Sequence, residues 1–412
     1  MLWTRRGFLK ASAAVAVGLG SQRGIHAGES LPPVRAITGG PKFHWFAYYD
    51  KLQFDATGRY ALGMEVEFER RSPDPSDTIK IGMIDLADGD RWIELGRSRA
   101  WCWQQGCMLQ WRPGSADEVL FNDREGDRFV CRILNVKTRK LRTLPHPIYA
   151  VSPDGRWAVA TDFRRLADTR PGYGYKGIAD PNRDVLAPRD SGIWRVDLES
   201  GRQDLLISLA EVAKIPFPGR DISRAKHWFN HLLVNPDGTR FEFLHRFKDP
   251  GATSHVTRMF TAAPDGSDLR IIDTNGLTSH FIWRDPHHIL AWSKQAKPGF
   301  YVFEDKQGGK VELVGPAMPT GDGHCSYLPG NQWVLCDSYP DRNRNQHLYL
   351  YHIPTDRVVS LGHFQSPREY TGEWRCDLHP RLSRDGRFVT IDSPHWGGRQ
   401  IYLVDLHAII QG

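Results

Sequence analysis

The sequence predicts an all-β protein, a seven-bladed β-propeller. Two signals each recur seven times along the chain, and their spacing matches one four-stranded blade. The first signal is a tight turn followed by a short β-rich run. It appears as "FDATGRYALGM" from Phe54, "WRPGSADEVLF" from Trp111, "VSPDGRWAVAT" from Val151 and "VNPDGTRFEFL" from Val234. It continues as "WRDPHHILAW" from Trp283, "LPGNQWVLCD" from Leu328 and "LSRDGRFVTID" from Leu382. Glycine supplies the positive φ that a tight turn needs, and the β-branched and aromatic residues after it fit a pleated surface. The second signal is an apolar strand that often ends in Asp-Leu, as in "IGMIDLADGD" from Ile81, "IWRVDLESGR" from Ile193 and "IYLVDL" from Ile401. Apart from the step from Pro153 to Pro236, successive turns lie about 41 to 56 residues apart, the usual propeller period. A lone blade cannot bury both of its faces, whereas blades packed around an axis bury all of them and leave only short protected edges.

Taken in chain order, the N-terminus comes first. Residues 1–27 read as a twin-arginine export signal: "TRRGFLK" from Thr4, an Ala/Gly-rich run from Ala11 to Gly20, and a cleavage position after Ala27. The run is shorter than the roughly 20 apolar residues that span a bilayer. It places the mature chain, residues 28–412, in the periplasm or outside the cell. The whole chain carries a formal charge of +6, but residues 1–27 hold four basic side chains and no acid. The remainder has 50 basic against 48 acidic side chains, so nucleic acid is not an expected partner, and with no second apolar run no integral membrane association is expected. The expected state is a monomer or weak oligomer. Six cysteines are present, none in a CxxC pair, and in an oxidising compartment they can form disulfides.

The next stretch, 34–49, is extended and precedes the first turn, so it is positioned to complete the last blade as a closing strand. It ends in "FHWFAYYD", which offers His44 and Tyr48 as substrate contacts. In the second repeat, "WCWQQGCMLQW" sets Gln104 and Gln105 among tryptophans, and "FNDRE" follows with Arg124. Amides flanked by aromatic rings suit a sugar, whose hydroxyls bond to amides and whose apolar face stacks on rings; they suit blade-edge hydrogen bonding equally. The step from Pro153 to Pro236 is nearly doubled by an insertion at about 160–192, rich in Arg, Tyr, Gly and Pro. Long loops in compact domains are commonly functional. This one offers Tyr173, Tyr175 and Arg189, with His227 and His231 shortly after it. Arginine holds a carboxylate in a two-pronged fork, and Tyr and His are residue types that pass protons. Finally His280, His324 and His379 each precede a blade turn by a few residues, so they converge on one side of the ring. With Cys376 they make a candidate set for one divalent metal, zinc by ligand type.

At "HWFAYYD", "WQQGCMLQW", "RPGYGY", "HWFNHLLVNPDG", "GHCSYLPG", "DSYPDRNRNQHLYLY" and "CDLHPRLSRDGRFVTIDSPHWGGRQIYL" the chain resembles the propeller-type polysaccharide lyases, namely ulvan lyases and, more distantly, oligogalacturonate lyases. Those enzymes cleave uronate-containing polysaccharides by β-elimination. The resemblance implies Tyr173 as the catalytic tyrosine, Arg189 as the carboxylate-holding arginine, and a metal bound among the loops. Ulvan lyases carry a His pair in the second blade, where this chain has Gln104-Gln105; the base would then be Tyr173 itself, His227 or His231. The expected function is that of a secreted lyase acting on an acidic polysaccharide or oligosaccharide. The competing expectations are a non-catalytic glycan-binding propeller and a protein-interaction platform of the cell envelope.

Overall fold

The computed structural model describes residues 31–410, so the export signal expected over residues 1–27 lies outside the described residues. Seven four-stranded antiparallel sheets follow one another, over 43–98, 110–144, 150–208, 226–276, 281–313, 325–365 and 381–405, and are called blades 1 to 7 here. The seventh needs a strand from the other end of the chain. Val34–Ala36 pairs antiparallel with Gln400–Asp405, Val34 opposite Val404 and Ala36 opposite Tyr402. This is the closing strand that the sequence leads one to expect, shorter than the stretch that suggested it.

The recurring turn joins the first and second strands of each blade, and all seven turns therefore lie on one face of the ring. Gly155 shows why glycine is needed there. Its φ is +68°, and an added Cβ would sit 2.1 Å from the carbonyl oxygen of Pro113 in the neighbouring turn. Blade faces pack largely through apolar side chains: Leu62, Ile81 and Met64 cluster with Trp101, Trp111 and Val119 between blades 1 and 2. All six cysteines are buried free thiols. Among the described residues no helix is long and apolar enough to cross a membrane.

The loops on the face opposite the turns carry the irregular sequence. The longest joins Trp157–Thr161 to Gly192–Asp197 in blade 3, which is the expected insertion. It starts with a helix, Phe163–Thr169, capped by the Asp162 carboxylate accepting from the Arg164 N–H. A second short helix, Leu209–Ala213, is closed by a capping box between Ser208 and Glu211.

Candidate active site

The segments on this face meet over the central axis, where they bring together residues from all seven blades. Tyr48, His231 and Tyr173 form the middle of the cluster. The Tyr48 hydroxyl is hydrogen-bonded to His231 Nδ1, and the two rings stack with centroids 5.1 Å apart. The Tyr173 ring stands edge-on to His231 at 5.7 Å. Backbone features present these groups. Tyr48 follows Ala47, whose φ is +79°; the backbone N–H groups of Phe46 and Ala47 donate to the Asp392 carboxylate, itself held by Arg381. His231 sits at a bulge in the first strand of blade 4 with φ +50°, and His379 has φ +43°. Such a backbone costs an imidazole residue about 1–3 kcal/mol and persists only where packing enforces it.

His231 is held neutral by its surroundings. As placed, the Gln105 side-chain nitrogen lies 3.3 Å from His231 Nδ1 and 2.6 Å from the Tyr149 hydroxyl, while its oxygen is buried without a partner. Burial first, and then Arg246, hold His231 well below the usual imidazole range, so it is neutral.

Tyr173 has the opposite surroundings. Its hydroxyl accepts from Arg375 Nη2 at 2.6 Å, and the Arg170 guanidinium lies 4.2 Å from its ring centroid. Burial raises the phenol, but Arg375 and Arg170 together outweigh burial and bring it down to about 8. The Arg246 guanidinium is fully buried nearby, and its Nε and Nη1 have no hydrogen-bond partner. Burial and then Arg170 lower it to about 9. Arg170 Nε also lacks a partner, and its Nη1 is 3.2 Å from His255 Nε2. Buried cations without an anion are costly. The cluster is therefore built to receive negative charge.

Beside it lie the imidazoles. The rings of His280 and His324 are 4.0 Å apart between centroids, and those of His324 and His379 are 4.2 Å apart. Nitrogen or oxygen ligand atoms of His324, Asp377 and His379 all fall within 4.8 Å of one another. His324 Nδ1 is held by the Asp337 carboxylate at 3.0 Å and His280 Nδ1 by Asp322 at 3.0 Å. This is the outer support that orients metal-binding imidazoles. His324 Nε2, the nitrogen left over, is buried with no partner. The donor set fits a divalent cation: two imidazoles with one carboxylate suit manganese or zinc, and the His280 ring stands beside them.

Several expected site residues stand elsewhere. Cys376 gives way to Asp377: its thiol is buried and pushed up by desolvation, with Arg399 and Asp392 as its charged neighbours. Arg189 is exposed, and Arg170, Arg246 and Arg375 take the place expected for it. His227 belongs to a buried chain in which Arg258 Nε donates to His245, His245 Nε2 to His227 Nδ1, and His227 Nε2 to the Ile222 carbonyl. His44 bonds to Gln400 and Glu65 and meets Trp92 edge-on at the seam between blades 1 and 7. Gln104 donates to the carbonyls of Glu373 and Arg375, which fixes the loop that delivers Arg375. Arg124 donates to the carbonyls of Lys176 and Pro75, and so ties the insertion down. Tyr175 stacks on Phe163 at 4.2 Å and accepts from Asn122 in the core of the insertion. Of the expected set, Tyr48, Gln105, Tyr173, His231, His280, His324 and His379 converge. Arg246, Arg375 and Asp377 were missed.

A cavity of about 310 Å³ opens at the other end of the axis, lined by Asp50, Lys51, Gln110, Gly114 and Arg384 among others. Its buried charges, Asp50 and Lys51, pair with each other at 2.9 Å, so it offers no unbalanced group for chemistry.

No family model and no curated protein sequence matches the chain. Solved structures do. An oligogalacturonate lyase in complex with manganese superposes with a TM-score of 0.67 over 91% of this chain and 93% of its own, at 15% identity. An oligogalacturonate lyase from Vibrio parahaemolyticus gives 0.64 over 91% and 94%, at 14% identity. The tricorn protease gives 0.51 over 90% of this chain and 34% of its own, at 12% identity. At these identities the likeness establishes the seven-bladed propeller, and it falls on the oligogalacturonate lyases, the more distant of the two lyase groups that the sequence resembles.

Proposed function

We propose that this propeller is a lyase that cleaves a uronate-containing oligosaccharide or polysaccharide by β-elimination. One observation carries the reading: Arg246, a buried guanidinium with two unpartnered nitrogens, lies beside a neutral imidazole and an acidified phenol. A uronate carboxylate supplies the missing charge. Bound to Arg246 and Arg170, it has its developing enediolate charge stabilised, and only then does the C5 proton become removable. The neutral His231 imidazole takes that proton. As the C4–O bond breaks, Tyr173 gives its proton to the departing oxygen, and a C4–C5 double bond remains. A phenol held near 8 keeps its proton at neutral pH yet surrenders it readily, which suits a general acid. Asp377, His280, His324 and His379 would hold a divalent cation, and its Lewis acidity would add to the charge stabilisation at the carboxylate. The leader-like N-terminus supports export, and so a substrate met outside the cytoplasm.

The test is a panel of polyuronates and their oligomers incubated with the folded, manganese-supplied protein. Ultraviolet absorbance of the unsaturated uronate is the readout. The expected result is a rising signal on at least one substrate, abolished in Tyr173→Phe, which still binds it. A flat panel replaces the lyase by a glycan-binding propeller. Full turnover by Tyr173→Phe removes Tyr173 from the acid role.

A further inference from the structure

The same loop that brings Arg375 to Tyr173 also brings Asp377 to the imidazoles. Arg375 Nε donates to Asp377 Oδ2 at 2.7 Å, while its Nη2 donates to the Tyr173 hydroxyl at 2.6 Å. Asp377 is at the same time the carboxylate grouped with His324 and His379. A carboxylate has two oxygens, so one can hold Arg375 while the other meets a cation. We propose that Asp377 and Arg375 form a lever that couples the divalent-cation site to Tyr173, so that cation binding makes the phenol a stronger acid. The inference rests on the proposed cation site and deepens the lyase reading by naming how that site is regulated.

The argument is one of charge and geometry. Arg375 is a positioning residue, held by Asp377 on one side and lying between two phenols on the other. Its guanidinium carbon is 5.8 Å from the Tyr173 ring centroid and 5.9 Å from that of Tyr339. Every charged or titratable group around Tyr173 bears on its proton. Arg170 comes from its own insertion, Arg375 and Asp377 from the loop before blade 7, and Arg246 and His231 from blade 4. Tyr48, Tyr149 and Tyr339 complete the ring of neighbours, all three held protonated by burial first. Of these groups Asp377 is the one that is both anionic and able to meet the cation, and its charge opposes ionisation of Tyr173. A cation on Asp377 cancels that opposition and leaves the Arg375 charge unshared.

The experiment reads tyrosinate absorbance against pH in the full chain, metal-free and then loaded with Mn²⁺ under nitrogen, with Mn²⁺ binding followed by calorimetry. No substrate is needed. In the metal-free protein the lowest tyrosinate step belongs to Tyr173 and is absent in Tyr173→Phe. Mn²⁺ is expected to move it down by about one pH unit, the order expected for one charge cancelled across a few ångströms of protein. Asp377→Asn is expected to show the lowered step without metal. Arg375→Gln raises the step and Arg375→Lys partly restores it, a pattern that a merely structural contact would not give. Thermal unfolding of each variant confirms that it is folded. Mn²⁺ that fails to bind, or binds and leaves the step in place, overturns the inference, as does an Asp377→Asn step at the wild-type position. A protein that shows the shift but cleaves no polyuronate loses the lyase reading and keeps the lever.

Discussion

Arg246 separates what this protein needs to fold from what it needs to act. A buried cation with two unpartnered nitrogens opposes folding, so it persists for a ligand. Arg246→Met fills similar volume without a charge and is expected to raise unfolding stability by about 1–3 kcal/mol. It should also abolish binding of a saturated uronate. Denaturant unfolding and equilibrium titration check the two halves, and a variant that is both less stable and fully able to bind would show that Arg246 is structural. The residue was hard to see in the sequence for a physical reason. In "FEFLHRFK", Phe241, Phe243, His245 and Phe247 alternate with Glu242, Leu244, Arg246 and Lys248, which reads as one core face and one wet face. In a propeller both faces of a blade are covered by neighbours. Glu242 and Arg246 are accordingly buried, and a charge in a mid-blade strand was the available signal.

At the scale of the element, the insertion in blade 3 works because it is rigid. Arg165 anchors it from below: its guanidinium donates to the Asp180 carboxylate and to the carbonyls of His227, Asn182, Val185 and Leu186, all within 3.2 Å. Gly174 then lets the chain pass over the helix between two tyrosines with opposite duties, Tyr173 facing the cluster and Tyr175 facing the core. A Cβ on Gly174 would lie 2.0 Å from the backbone nitrogen of Ala167 and 2.4 Å from the carbonyl oxygen of Phe163, so the segment would have to move. Gly174→Ala is expected to lose about 1–3 kcal/mol of stability. It should also shift the Tyr173 tyrosinate step upward, because the hydroxyl leaves Arg375. Unfolding midpoints and the absorbance titration check this, and an unmoved step would mean that Tyr173 is placed from elsewhere. The sequence identified the insertion and Tyr173, since both break the repeat. It pointed to Arg189 because that residue is near Tyr173 in the same loop. The guanidinium that bonds to the phenol instead comes from Arg375, 202 residues away, through a ring closure that sequence proximity does not reveal. Asp377 rather than Cys376 is the residue grouped with His324 and His379 for a related reason: neighbours in an extended loop point to opposite sides, and the sequence does not say which side faces the axis.

At the scale of the whole molecule, the seven turns, the closing strand and the convergence of His280, His324 and His379 were legible, because a repeat fixes equivalent positions even where it does not fix side-chain directions. The same packing of blade on blade sets how the fold meets acid. His227 and His395 are held down to about 4 and His255 to about 2, in each case by burial first; His245 is likewise held well below its usual range by burial. None of these four belongs to the proposed cation site. In the unfolded chain each returns to an ordinary value near 6.5. As pH falls below that value the unfolded state takes up protons that the folded state refuses, so stability is lost from about pH 6.5 downward, and the loss from His227 and His395 is complete only below about pH 4. His324 opposes the trend, because burial, which lowers it, is outweighed by Asp337, Asp377 and Asp322 together, but it is one group against four. Denaturant midpoints measured on the metal-free protein between pH 7 and pH 4 should therefore fall steadily. Replacing His227 and His245 together by Gln, which keeps a donor and an acceptor but cannot be charged, should reduce the slope. Midpoints that stay level across this interval would mean that the blade interiors admit protons, and that the buried neutral histidines do not govern how the ring opens.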